Sequence, residues 1–204
     1  MYIYWLGESS FRIKTEAASV IIDPAHKNTG LTQSTLKGDI ILISQTLETD
    51  LTRVAPEQTD EPFIISSPGE YETKGVFVYG IAGANGNILY LIKADNLQIA
   101  HLAGLTEDLK DKDLEMFEGV DIAMVPVGGH GVLSGKQADK VVSQLEPHLV
   151  IPMNYDLPKL TAKRDPVDTF LSEMGVKGLQ PENSLHITKS KLPEEETKIV
   201  LLQP

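Results

Sequence analysis

The chain has no cysteine, which excludes disulfides and thiolate metal ligands and fits a reducing, cytoplasmic setting. Histidine is sparse. His26, His101, His130, His148 and His186 are the five present, and no two stand at the short spacing of a local ligand pair. A zinc site usually gathers several imidazoles or thiolates, so this composition tells against one. Long apolar runs are missing too, and no stretch reaches membrane-spanning length. The opening Met1–Leu6 is short and lacks the basic flank of a secretory leader. Basic residues are in deficit: 18 Lys and Arg against 29 Asp and Glu give a net charge of −11. That balance opposes nonspecific binding to nucleic acid or to an anionic membrane.

What is present suits one soluble domain spanning residues 1–204, with 41% hydrophobic and 23% charged residues and no linker or repeat. Short β-like runs dominate the first two-thirds: Ile3–Leu6, Ser19–Ile22, Asp39–Ile43 and Phe63–Ile65. Val76–Ile81 and Ile88–Ile92 flank Asn85-Gly86, a hairpin signal because both residues tolerate positive φ. Asp95-Asn96 offers a second tight turn before Leu97–Leu102.

Helices are expected later. Thr106 is a candidate cap, with Glu107 and Asp108 in the first turn. Ser134 and Gln137 have capping-box spacing, and Ala138, Val141, Val142 and Leu145 then form one apolar stripe. Asp165-Pro166 opens a third helix with stripe Val167, Phe170, Leu171 and Met174, and Gly175 ends it. Ile122–Val127, Leu149–Met153 and Ile199–Leu202 are interleaved strands. The acidic run Glu194-Glu195-Glu196 reads as a solvated turn. Together these elements imply two β layers with helices outside.

The motifs Trp5-Leu6-Gly7-Glu8-Ser9-Ser10-Phe11, Ile21-Ile22-Asp23-Pro24 and Asp39-Ile40-Ile41-Leu42-Ile43-Ser44 resemble the metallo-β-lactamase superfamily. Ser67-Pro68-Gly69-Glu70-Tyr71-Glu72, His101-Leu102, Val120-Asp121-Ile122, Pro126-Val127-Gly128-Gly129 and Ile151-Pro152-Met153-Asn154-Tyr155 extend the match in order. The likeness points to the ascorbate-6-phosphate lactonase-like branch of metal-dependent hydrolases. It implies an α/β fold of α+β type, a four-layer αββα sandwich with a metal site along one edge of its sheets.

The family's ligands do not carry over. Its first-turn histidine corresponds to Glu8. Its His-x-His-x-Asp-His motif corresponds to Gln45, Leu47, Thr49 and Asp50. Its bridging aspartate corresponds to Gly104 and its late histidine to Asn154. Leu47 and Gly104 offer no donor, and Gln45 and Asn154 only neutral oxygens. No metal and no cofactor is therefore expected, although the family would imply zinc.

Glu8 and Asp50 are expected in one cleft, either holding a cation or paired with a base such as Arg53 or Lys27. His101 and His130 are candidate bases beside their plainer readings, a satisfied structural histidine and a turn residue. Asp23 is expected to brace a loop through backbone N–H groups, and Tyr71 to bury its ring while bonding its hydroxyl. Ser9 and Ser10 have no histidine partner nearby in sequence, and no nucleophile elbow is present.

The leading expectation is a pseudoenzyme, a non-catalytic binding or scaffold protein on a degenerate metal site. The alternative is a hydrolase of lactones, phosphoesters or phosphorylated sugars. It would use a rebuilt Mg²⁺ or Mn²⁺ site from Glu8, Glu48, Asp50, Glu70 or Asp156, or a metal-free carboxylate with His101 or His130. The partner is an unknown small molecule or protein, homo-oligomerisation stays open, and neither nucleic acid nor membrane is expected.

Overall fold

Alternation of burial in the first strand turns one face of a sheet inward. In β1 (Tyr2–Gly7), Ile3 and Trp5 are buried while Tyr2 is exposed and Tyr4 half-buried, the period-two pattern of a half-covered strand. A computed structural model describes residues 1–25, 27–31, 35–45, 49–57 and 60–204. Along the chain follow β2 (Ser10–Lys14), β3 (Ser19–Ile22), β4 (Leu36–Gly38), β5 (Ile40–Leu42), β6 (Val54–Pro56) and β7 (Phe63–Ile65). Next come β8 (Gly69–Thr73), β9 (Val76–Ala82), β10 (Ile88–Ala94), β11 (Leu97–His101), β12 (Ile122–Pro126) and β13 (Leu149–Met153). The last two strands are β14 (Leu185–His186) and β15 (Lys198–Ile199). The helices α1 (Asp111–Met116), α2 (Gly135–Leu145) and α3 (Val167–Glu173) fall between them.

The first sheet has the order β14-β1-β2-β3-β5-β7 and the second β15-β13-β12-β11-β10-β9-β8, with β4 and β6 forming a small separate ladder. Their inward faces share one apolar cluster that includes Ile3, Trp5, Phe11, Ile13, Ile22, Ile92, Ile99, Met124 and Ile151. Each fully buried aliphatic side chain here contributes about 1.5–3 kcal/mol relative to exposure. Every residue of β12 and β13 is buried, as parallel strands covered on both faces should be. The buried Tyr90 on β10 directs its hydroxyl at the carbonyl oxygens of Ile43 (2.8 Å) and Ile65 (3.1 Å), tying the second sheet to the first. Burial pushes that phenol above its ordinary value. The architecture is the α+β sandwich expected, and no helix among the described residues is long and apolar enough to cross a membrane.

Local expectations fare unevenly. The Ser134–Gln137 capping box forms, and Ala138, Val141, Val142 and Leu145 are the buried stripe of α2. Asp95 and Asn96 both take positive φ between β10 and β11. Asn85 and Gly86 do so as well, but in a five-residue loop closed by Gly83 N–H donating to Asn87 O (2.9 Å). Asn87 is drawn inward, donating from Nδ2 to Ala103 O (2.8 Å), which lengthens the turn. The cap at Thr106 is a correction: helix α1 begins only at Asp111. Leu105 and Leu109 are buried, and the carbonyls of Thr106 and Leu109 accept from Gln137 and Gln144 of α2. Tertiary partners thus take the groups a helix would use. Of Ile199–Leu202, only Ile199 joins the β15 ladder, while Leu202 makes a single bridge to Glu182.

Replacing Ser134 by Ala removes the cap of α2 and is expected to lower stability by about 1 kcal/mol, read as a reduced urea midpoint at unchanged slope.

Candidate functional site

The β1–β2 turn delivers the first site residue. Gly7 and Glu8 have φ of +99° and +49°, and the indole N–H of Trp5 donates to Glu8 O at 2.8 Å. This bracing holds Glu8 in a left-handed conformation that non-glycine residues seldom adopt and that clusters at functional sites. Its carboxylate is buried, with 4% of the residue exposed, so it needs a counter-charge.

The counter-charge is Arg164, whose Nη2 lies 2.7 Å from Glu8 Oε2. Arg164 Nη1 also donates to His130 O (3.0 Å), and Asn154 Nδ2 donates to Glu8 Oε2 (3.0 Å). The guanidinium therefore joins the first turn to the loop after β12, beside Asn154, which directly follows β13. Leaving either charge buried alone costs about 3–5 kcal/mol. Over this floor lies a cleft of ≈350 Å³ lined by Gln45, His130, Gly131, Val132, Asn154, Ala162, Lys163 and Arg164. Asn154, at φ +55°, keeps its buried Oδ1 without a partner among the described residues.

Below the cleft is a buried polar cluster. Asp23, at φ +45°, accepts from Ser44 N–H (2.7 Å) and from the Ser44 hydroxyl, linking the ends of β3 and β5. His101, fully buried at the end of β11, sets Nε2 2.9 Å from Ser9 O. A carbonyl only accepts, so Nε2 carries the hydrogen and Nδ1 is the bare nitrogen. The ring meets Phe11 edge-on at 5.8 Å. Burial pushes His101 below its ordinary value, only partly offset by the charge of Asp23 and the bond to Ser9. Burial likewise raises Asp23, against His101 and the Ser44 bonds.

The structure brings Glu8, Gln45, Asn154 and His130 to one cleft, with Gly104 beside Gln45. His101 is close by through Ser9 but sealed from solvent. Asp50 is engaged elsewhere: its Oδ1 accepts from Thr52 N–H (3.1 Å) and caps a 3₁₀ turn. Thr49 donates its hydroxyl to Gln45 O (2.8 Å). Glu70 and Asp156 are exposed. Leu47 and Glu48 lie outside the described residues. The base that meets Glu8 is Arg164 rather than Arg53, and the side chain of Lys27 lies outside the described residues. Sequence spacing carries no signal for that residue beyond the rule that a buried acid requires a cation.

These residues do not fit the family's metal. Glu8 is already held by a guanidinium, and Gln45 Nε2 would stand 2.1 Å from a Cβ at position 104. The family's aspartate there would require Gln45 to leave. Among the described residues no three His, Asp or Glu side chains gather as a metal-holding group.

Two outcomes follow. The folded His101 stays neutral below its ordinary 6.5 while the unfolded chain takes up a proton. Its contribution is therefore full above that value and lost as pH falls through the folded pKa. The urea midpoint is expected to drop on acidification below 6.5, and His101→Asn to flatten that slope. Asp23 has the opposite sign: its contribution is full below the ordinary 3.8 and lost as pH rises through its raised value. Separately, a Cβ at Gly128 would stand 1.9 Å from Asn154 O, a backbone atom. Gly128→Ala is expected to lower stability by about 1–3 kcal/mol, measured by thermal unfolding.

Comparison with known proteins places this geometry. Residues 2–154 match the sequence profile of the β-lactamase superfamily domain. A UPF0173 metal-dependent hydrolase of Pyrococcus furiosus is 32% identical over 145 residues, covering 69% of this chain and 62% of that protein. Its namesake from Pyrococcus abyssi is 34% identical over 112 residues, covering 54% of this chain and 48% of that protein. The chain thus spans less than two-thirds of these relatives. A Thermotoga maritima structure, described as a Zn-dependent hydrolase of the metallo-β-lactamase superfamily, superposes with a TM-score of 0.82 over 99% of this chain and 100% of that one. At 24% identity that likeness is one of fold. The relatives' names point to a metal cofactor and overturn the expectation of none, which rested on ligand identity alone. With three-quarters of its length matched by the profile, the chain belongs to the metallo-β-lactamase superfamily.

Proposed function

We propose that this chain is a binding protein on the metallo-β-lactamase scaffold, using the family's cleft to hold a small polar molecule without the family's hydrolysis. The supporting observation is Asn154, which lines a cleft of ≈350 Å³ and whose buried acceptor Oδ1 has no partner among the described residues. Small-molecule sites are of this size and carry a few fixed polar groups. A buried acceptor left unsatisfied costs about 1–3 kcal/mol, which a ligand donating an O–H or N–H would recover. Gln45 and Lys163 add flexible polar contacts at the wall. The net charge of −11 steers this reading away from nucleic acid and anionic membranes.

A second reading is hydrolysis of a lactone, phosphoester or phosphorylated sugar. Its support is the relatives' name as metal-dependent hydrolases and one pairing at the rim. His130 Nε2 lies 3.3 Å from Asp165 Oδ1, the base-plus-orienting-carboxylate geometry of general-base sites.

Protein purified without chelator or nickel distinguishes the two. Metal content, turnover of p-nitrophenyl phosphoesters and a simple lactone with added Zn²⁺, Mn²⁺ or Mg²⁺, and thermal shifts with a panel of neutral sugars and polyols would be measured. The binding reading expects no turnover above blank, and a ligand-dependent rise in Tm that Asn154→Ala abolishes. Turnover that disappears with chelator or in His130→Ala would replace it with the hydrolase reading.

A further inference from the structure

The segment 155–166 leaves β13 and returns to α3, and three of its residues, Ala162, Lys163 and Arg164, form one wall of the cleft. Its ends meet where Asp156 N–H donates to Asp165 O at 3.0 Å, so it is a compact surface loop with closed ends. Backbone bonds seat it at two places. Thr161 donates from N–H to Thr29 O and from Oγ1 to Asn28 O, both 2.9 Å. Asp165 N–H donates to Gly128 O at 2.7 Å. Glycine makes both seats close. A Cβ at Gly30 would stand 2.0 Å from Lys159 O, and one at Gly128 3.0 Å from Arg164 Cδ. Most of the loop is half-buried or exposed, and Lys159, Thr161 and Lys163 are among its exposed residues. Arg164 differs: its side chain is only 9% exposed and meets the 5% exposed Glu8.

We propose that this loop is a strap across the cleft and that the Arg164–Glu8 ion pair is its bolt. Tyr155 and Leu157 anchor the start of the loop on the core, but no residue of 158–166 joins that apolar cluster. Loops with few apolar contacts open at low free energy, and over this stretch the bolt supplies what apolar packing does not. With the pair broken, the strap lifts away from Gly128 and Asn28–Gly30, and Glu8, Gln45 and Asn154 come into solvent. A molecule that enters the full cleft must compete with Arg164 for Glu8, or with Glu8 for Arg164. Latching is a property of the loop itself, so it is tested without any ligand and independently of the binding reading.

The strap carries its own reporters, because trypsin cuts after Lys159 and Lys163. Native full-length protein would be digested at low protease and cleavage timed site by site by mass spectrometry, for wild type and Glu8→Gln. The amide keeps the carboxylate's shape and removes its charge. Cleavage within the strap is expected to accelerate about a hundredfold or more, the lower end of what losing a buried charge partner implies. Cleavage after Lys14 and Lys93 in the core strands should stay at the wild-type rate. Strap cleavage unchanged in Glu8→Gln would overturn the proposal, and so would equal acceleration at strap and core sites, which would make the pair a support of the whole fold. If Glu8→Gln does not fold, Arg164→Lys is read in the same way. Its point charge lacks the bidentate fork, so an intermediate acceleration confined to the strap is expected.

Discussion

A carboxylate removed from water must find a cation, and Glu8 imposes that demand on everything around it. The acid sits in a left-handed turn braced by the Trp5 indole, and its position fixes where Arg164 must come. Arg164 in turn fixes the path of the chain after β13. That path brings Asn154 O so near residue 128 that glycine is needed there, and it places Asp165 within reach of His130. Burial of an ion pair seldom adds much net stability, because desolvation consumes most of the attraction. Its usual yield is specificity of arrangement. Here one pair determines how three segments meet, the β1–β2 turn, the loop after β12 and the chain after β13.

Framework and site chemistry are separate questions in this chain. The profile match and the superposition speak to the sandwich, while the cleft presents an amide, an ion pair and a glycine at the positions where the family implies ligands. Fold alone does not supply function, and the side chains at the sheet edge have to be read one by one. Asp23 belongs to the framework. Its carboxylate joins the ends of β3 and β5 through Ser44, a task that keeps its value whatever occupies the cleft above.

Periodicity and caps made much of the scaffold legible in the sequence. The α2 stripe, its capping box and the Asp95-Asn96 turn are local devices whose partners lie within a few residues, so spacing reveals them. The site depends on long-range meetings. Arg164 reaches Glu8, and His101 reaches the backbone of Ser9, across separations of 156 and 92 residues, which no window of sequence contains. The Thr106 cap fails for the same reason: side chains of α2 capture the carbonyls that a local helix would have used.

The last strands carry a kinetic implication. Residues near the C-terminal end supply the outer strand of both sheets, β14 beside β1 and β15 beside β13, and the Met1 amine donates to Ile187 O at 3.2 Å. The outer edge of β1 is therefore paired only by residues that lie 184 positions further along the chain, His186 opposite Tyr2. Such non-local closure slows folding. Until β14 docks, β1 carries an open hydrogen-bonding edge, the kind of edge that invites pairing with other strands.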